Sequence, residues 1–453
     1  MKRLFLYLCL FCALAATAQN VTITGRTNKS HALLRLFVYD ELLTNTGTCV
    51  ATTNANEKGH FILETQVSRI LPARIFVGLE SVDLYLAPNA AYDIEIIIPE
   101  QDDNTSYFDK EQPTIRIKKA TDKGLYRQIV QSEQIINTYL MEHLQQIYRG
   151  RQVRYIDSIE ATIHREMPDI KSDYVRDHIR YKLASIRLAI STDGGKKIAR
   201  DYFGGNPILY TQPAYIELFK ELFGSYFNKS GYDSHALNDA FTTGPAAFRK
   251  YLDSDPFMHD NPRLAELITI FNLQQLLNAD RETRYYAKAH LEQIQKTTAY
   301  GEHKTIIANI FASRDRLAPG ADATDFELTD SEGKTVKLSQ YKSDMVLLQF
   351  VDGISPISER QFSNLKDLHR QWQDSVQIVT IATKDKMDFY KQQFSEKSYD
   401  WPLLNLGNNI LLLEAYNVKT FPEYILIKPG TKIGAAPAPA PDQHLEIFVR
   451  KMR

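Results

Sequence analysis

The spacing of apolar residues changes twice along this chain, and each spacing admits a different kind of fold. From Val21 to about Pro99, apolar and polar residues alternate in short runs, as in Val21-Thr22-Ile23-Thr24 and Arg35-Leu36-Phe37-Val38-Tyr39. Alternation with period two puts every second side chain on one face and predicts half-buried strands. Turn residues separate the runs, notably Asn56-Glu57-Lys58-Gly59 and Ala87-Pro88-Asn89. Short strands at this spacing predict a small β-sandwich, with residues 114–118 as one more strand. After Ala120 the period lengthens: Tyr126, Ile129, Val130, Ile135, Ile136, Leu140 and Leu144 recur at three- and four-residue steps, predicting an amphipathic helix. Similar patterns over residues 152–192, 213–228, 262–277 and 281–313 are broken by Gly194-Gly195, Gly204-Gly205-Asn206-Pro207 and Asp255-Pro256. Aromatic residues at helical spacing in this stretch read as a core face.

From Pro319 onward, strands and helices alternate. Residues 346–351, 377–382 and 421–428 read as strands, and 359–374, 384–395 and 442–452 as helices, a compact α/β layout. The alternating Ala and Pro of residues 435–441 predict an extended segment that no interior strand can accommodate. The expectation is a multidomain α+β chain: a signal peptide at residues 1–18, a β-sandwich at 19–119, a helical domain at 120–315 and an α/β domain at 316–453. A length of 453 residues suits about three domains.

Lys2 and Arg3, the apolar run 4–16 and Ala16-Thr17-Ala18 have the order of an export signal cleaved before Gln19. That run falls short of the ~20 residues a membrane span needs, and no later stretch is long enough. A lipoprotein signal fits less well, because Phe11 stands before Cys12 where a small residue is expected. The predicted location is the periplasm or cell envelope. Lys and Arg total 54 against 55 Asp and Glu, leaving no positive surplus to attract nucleic acid or an anionic membrane.

Of three cysteines, Cys9 and Cys12 fall in the predicted signal, so Cys49 stands alone in the mature chain and no intramolecular disulfide can form there. Cys49 reads as a small buried apolar residue. The 11 histidines form no H-E-x-x-H or Cys/His cluster, and Met258-His259-Asp260 and Glu302-His303 read as surface groups, so no metal is expected. Gly333-Lys334-Thr335 has Leu328 where a phosphate loop requires glycine, and reads as a hairpin turn. No cofactor is predicted.

Ala323-Thr324-Asp325-Phe326-Glu327-Leu328, then residues 333–339 and Met345-Val346-Leu347-Leu348-Gln349-Phe350, resemble the opening of TlpA/ResA-type thioredoxin-like domains. The resemblance covers about residues 318–453. The leading parts resemble, less specifically, those of TlpA-like proteins exported by Bacteroidetes. In that family a buried strand runs into a W-C-x-x-C motif at a helix start, and a cis-proline in a later loop sits opposite the cysteines. Here Phe350-Val351-Asp352-Gly353-Ile354-Ser355-Pro356-Ile357-Ser358 occupies the motif, and Thr420-Phe421-Pro422-Glu423-Tyr424-Ile425-Leu426-Ile427 matches the proline segment. Ser355 and Ser358 stand at the redox positions, so the resemblance implies a degenerate site. Positions usually aromatic are Val351 and Ile354, the family's glutamate is Gln361, and its following proline is Ser363.

Disulfide exchange needs a thiolate, and serine supplies neither an accessible anion nor an S–S bond. Ser355-Pro356 reads as a helix N-cap followed by proline at the first helical position, an arrangement that stabilises a helix by about 1 kcal/mol. A nucleophilic Ser355 is the sharper alternative, but no histidine lies near it in sequence and no G-x-S-x-G elbow surrounds it. Pro422, if cis, would leave the backbone of Phe421 free to pair with an extended client; otherwise it shapes the strand start. The main expectation is a redox-inactive module that binds a protein or peptide in the cell envelope through Phe421, Pro422, Ile354 and Pro356. The enzymatic alternative is a TlpA/ResA-type thiol-disulfide oxidoreductase, with a role in redox homeostasis or of the cytochrome c maturation kind. A third reading makes the helical middle the functional part.

Overall fold

The computed structural model describes residues 19–99, 112–229, 231–353, 356–372 and 375–452, so the signal reading of 1–18 lies outside the described residues. The period-2 region forms eight strands: β1 (Gln19–Thr27), β2 (Leu33–Val38), β3 (Thr48–Asn54), β4 (His60–Val67), β5 (Leu71–Val77), β6 (Glu80–Leu86), β7 (Ala91–Ile97) and β8 (Thr114–Ala120). They build two four-stranded sheets, in the orders β4-β1-β7-β8 and β3-β2-β5-β6. Val21 and Ile23 of β1, Leu34 and Leu36 of β2, Leu63, Ile75, Leu84 and Ile94 meet in one apolar core fed by both sheets. Gly25 continues the inward face of β1, opposite Phe61 on β4 and Ile94 on β7. A β-carbon there would come within 2.5 Å of the Phe61 ring, so the close approach of these strands requires glycine.

Twelve α-helices follow among the described residues, from Leu125–Glu142 to Gly301–Asp315. Two of the predicted runs are each split in two. Residues 152–192 hold the helices Val153–Glu166 and Asp173–Ala189, separated across Pro168, and 281–313 hold Arg281–Thr297 and Gly301–Asp315. Three short helices, Ser234–Thr243, Pro245–Leu252 and Pro256–Asp260, occupy a stretch without a predicted helix. Their lengths are too short for a clear period, and Asp255-Pro256 starts a helix where it was expected to break one. The Asp255 carboxylate accepts from Phe257 N at 2.9 Å, and Pro256 takes the first helical position. The aromatic residues are core: Tyr181, Phe203, Tyr215, Phe219 and Phe223 pack together with ring centroids 4.9–6.3 Å apart.

The third region is a seven-stranded sheet in the order β10-β9-β13-β12-β11-β14-β15. Its strands are β9 (Glu327–Asp330), β10 (Thr335–Lys337), β11 (Met345–Val351), β12 (Val376–Ala382), β13 (Leu403–Asn405), β14 (Glu423–Lys428) and β15 (Lys432–Ala435). β11, β12 and β13 are parallel, and β14 runs antiparallel to β11. Strands β9, β10, β13 and β15 have three or four residues each, too few to display a period. Every residue of β11 is buried, because both faces are covered. Helices Pro356–Trp372, Met387–Lys397 and Leu445–Met452 cover one face through Phe362, Leu365, Tyr390 and Val449. On the other face Val346, Leu348 and Phe350 share a core with Ile410, Leu413 and Tyr416, and with Phe37, Tyr39 and Phe76 of the N-terminal sheets.

The segment leaving β2 joins all three regions. Val38 lies in the N-terminal core, Phe37 and Tyr39 in the C-terminal one, and Leu43 in the helical core. Glu41, 3% exposed, accepts from Asn309 Nδ2 at 2.9 Å, and Lys220 Nζ donates to Leu42 O at 2.9 Å.

Candidate functional site

β11 delivers the chain to a turn at Asp352-Gly353, and the helix Pro356–Trp372 begins after it. Gly353 has φ 84°, a left-handed conformation that favours glycine. Two neighbouring elements hold this turn. Thr383 Oγ1 donates to Asp352 Oδ1 at 2.6 Å, and Tyr390 OH donates to Gly353 O at 2.6 Å. Burial drives the Tyr390 hydroxyl well above its usual pKa, so it keeps the proton it donates. Ile354 and Ser355 lie outside the described residues. Pro356 is the first residue of the helix, and Ser358, in its first turn, is 3% exposed.

The antiparallel register of β11 and β14 pairs Phe350 with Glu423. It places Phe421 and Pro422, which precede β14, at the same end of the sheet as the Asp352-Gly353 turn. The Phe421–Pro422 peptide is cis, both residues are half-buried, and Phe421 packs against the core that contains Phe350. Glu423 follows directly and was not singled out by the sequence. Burial raises its carboxyl pKa, opposed by hydrogen bonds from its neighbour Tyr424 N–H and the Thr420 side chain. A half-buried acid at a strand start has no periodic signal that distinguishes it from an ordinary surface glutamate.

Beneath the turn, a chain of polar side chains crosses the helix-covered face of the sheet. Trp401 Nε1 donates to Thr380 Oγ1 at 2.9 Å, and Thr380 donates to Gln349 Oε1 at 2.8 Å. Gln349 Nε2 donates to the Tyr424 hydroxyl at 3.3 Å, and that hydroxyl donates to Gln361 Oε1 at 3.0 Å. Gln361 Nε2 ends the run on Asp442 Oδ1 at 3.1 Å, while Arg360 Nη2 binds Asp442 Oδ2 at 2.9 Å. Gln349 and Thr380 are fully buried and Gln361 is 6% exposed, so each bond replaces water that cannot reach the site. Burial works against the Asp442 carboxylate, yet the bonds from Arg360 and Gln361 hold its pKa below the usual range. Gln361 therefore donates one bond and accepts another, as a neutral amide can.

Two expectations are overturned. Cys49 is exposed: β3 is an edge strand, the register with β2 shifts between Leu36 and Phe37, and Cys49 faces outward beside Ala51 and Thr52. His303 is fully buried, with Nδ1 2.7 Å from Glu266 Oε1 and Nε2 2.8 Å from Tyr210 OH, and Met258 is 2% exposed; His259 remains at the surface. Helix packing buried residues whose local sequence looks polar. No group of three or more His, Cys, Asp or Glu that could hold a metal ion occurs among the described residues.

Residues 319–436, which span this turn, the proline segment and the central strands, match the AhpC/TSA family. The C-terminal region is a thioredoxin-like domain. Its relatives include thiol-disulfide oxidoreductase ResA of Bacillus subtilis, 25% identical over 130 residues, and that of Halalkalibacterium halodurans, 23% identical over 130 residues. Each alignment covers 28% of this chain, and 72% and 73% of those proteins respectively. Similar solved structures include a thiol:disulfide interchange protein from Bacteroides sp., at 25% identity over 30% of this chain and 90% of that one with TM-score 0.28. Another is the thioredoxin domain of a thiol-disulfide oxidoreductase from Bacteroides vulgatus, at 24% identity over 30% and 99% with TM-score 0.27. The thioredoxin-like domain is thus related to thiol-disulfide oxidoreductases, and the family match leaves the N-terminal sheets and the helical region outside it. No helix among the described residues is long and apolar enough to cross a membrane.

Proposed function

We propose that the thioredoxin-like domain is a redox-inactive module that binds an extended protein or peptide segment in the cell envelope, with Ser355-Pro356-Ile357-Ser358 in place of the family's dithiol. The two N-terminal sheets form a β-sandwich that, with the helical region, supports it. The observation that carries this reading is the cysteine inventory. Outside residues 1–18 the chain has Cys49 alone, and Cys49 sits on the edge strand β3 rather than in the thioredoxin-like domain. A dithiol couple needs two sulfurs, and an oxygen in their place has no such couple. The half-buried Phe421 and Pro422, together with Ile354 and Pro356, are the binding residues in this reading. The test uses reduced, alkylated α-lactalbumin as an unfolded probe. Saturable binding, weakened about tenfold by Phe421→Ala, is expected, and binding unchanged by that substitution removes the surface.

A second reading, thiol-disulfide oxidoreductase activity, is favoured by the two ResA relatives, both described as thiol-disulfide oxidoreductases. Insulin reduction with dithiothreitol separates the two. The expected rate equals the dithiothreitol control; a higher rate that disappears in Cys49→Ser would establish the enzymatic reading instead.

A further inference from the structure

The helical region contains a cavity of about 480 Å³, far from the thioredoxin-like turn in sequence, between the helices Pro245–Leu252, Pro262–Leu276 and Arg281–Thr297. Its apolar wall is Phe248, Leu252, Met258, Ala265 and Ile294. A volume of this size lies within the roughly 300–1,000 Å³ of ordinary small-molecule sites, which helical bundles build between facing helices.

Of the polar side chains lining it, Glu266, Thr269 and His290 are buried or half-buried and each is committed on one side, while Gln293 and Thr297 are exposed. Glu266 Oε1 accepts from Thr298 Oγ1 and from His303 Nδ1 at 2.7 Å, leaving Oε2 without a hydrogen-bond partner among the described residues. Behind it, Arg263 Nε donates to the Tyr210 hydroxyl at 3.2 Å, that hydroxyl lies 2.8 Å from His303 Nε2, and His303 Nδ1 faces the Glu266 carboxylate. Burial pushes the Tyr210 hydroxyl up to about 12, so it stays protonated. Thr269 Oγ1 donates to Ala265 O at 2.8 Å and keeps its lone pairs. His290 Nε2 lies 2.8 Å from Phe241 O, which only a protonated nitrogen can approach, so the neutral ring offers Nδ1 as an acceptor. Burial lowers the His290 pKa against the opposing bond to Phe241, favouring that neutral ring.

The cavity wall therefore presents acceptors: a carboxylate oxygen, a hydroxyl oxygen and an imidazole nitrogen. The exposed Arg249 and Asp253 at the rim are of opposite sign. An occupant must bring donors, a positive charge and an apolar body. We propose that this cavity is a binding site for a small amphiphilic primary ammonium, its three N–H donors directed to Glu266, Thr269 and His290 and its carbon body to Phe248, Leu252, Met258 and Ile294.

Isothermal titration calorimetry on the full-length protein tests this with hexylammonium, hexanol and hexanoate as probes. Saturable binding of one hexylammonium is expected, with hexanol at least tenfold weaker and hexanoate weaker still. Glu266→Gln should weaken hexylammonium at least tenfold, and Ile294→Trp, which fills the cavity, should abolish binding while circular dichroism stays native. Absence of saturable hexylammonium binding, or hexanol or hexanoate binding as tightly, overturns the proposal. So does unaltered binding in folded Ile294→Trp. Should Glu266→Gln fail to fold, the three-probe contrast in the unaltered protein decides.

Discussion

Phe37 and Val38 are consecutive residues of β2 that are buried in different cores. Val38 faces the interior between the two N-terminal sheets, while Phe37, in edge-to-face contact with Phe76 at 5.2 Å, packs against the thioredoxin-like domain. A strand alternates its side chains between faces, so one strand covered on both sides can join two domains. Arg35, on the same strand, donates to Asn408 O of the thioredoxin-like domain at 2.6 Å.

Phe37→Ala is expected to destabilise the thioredoxin-like domain by about 3 kcal/mol, the lower end of the usual cost of truncating a buried phenylalanine. The two tryptophans of the chain, Trp372 and Trp401, both lie in that domain, so a urea melt followed by tryptophan fluorescence reports it alone. An unchanged midpoint would show that the domain does not draw stability from β2.

Gln361→Leu removes the amide that links Tyr424 to Asp442 while roughly keeping its volume. The buried Tyr424 hydroxyl loses the acceptor for its proton and Asp442 loses one of its two donors, and a loss of about 1–3 kcal/mol is expected in the same melt. Gln361→Glu should behave differently with pH. Its carboxyl would be buried beside Asp442, which raises its pKa, so its folded state is favoured while protonated and loses stability as pH rises toward 7.

Glu423 has a folded pKa raised above the ordinary 4.5 by burial. The folded state therefore prefers the protonated carboxyl, and stability associated with it is lost as pH rises through that range. Asp442 has the opposite sign: its depressed pKa contributes stability above the unfolded value, lost as pH falls. Glu423→Gln should raise the urea midpoint at pH 7 relative to the unaltered protein, with the difference shrinking toward about pH 4. A difference that grows on acidification would contradict the assignment.

Cys49 should react fully with Ellman's reagent in the native protein, without urea and without a change in tryptophan fluorescence, because it is exposed on an edge strand. Labelling that requires denaturant would restore the buried reading.

Local periodicity is enough to mark out the three regions and the positions of their long elements, because strand and helix periods are properties of neighbours in the chain. The amino-acid sequence by itself also determined the cysteine count, and with it the absence of a partner for Cys49 after residue 18. Short elements escaped it: β13 has three residues, and the helix Pro256–Asp260 has five, too few to complete a pattern. The candidate site was legible as Phe421-Pro422 and the run into Pro356, but not as a place. The pairing of Phe350 with Glu423 brings the two segments to one end of the sheet across more than seventy intervening residues. The same holds for Gln361, whose partners Tyr424 and Asp442 are 63 and 81 residues away. The burial of His303 and the exposure of Cys49 follow from the same cause. Whether a polar or small residue meets water or another helix depends on what packs against it, and that is decided by contacts between distant parts of the chain.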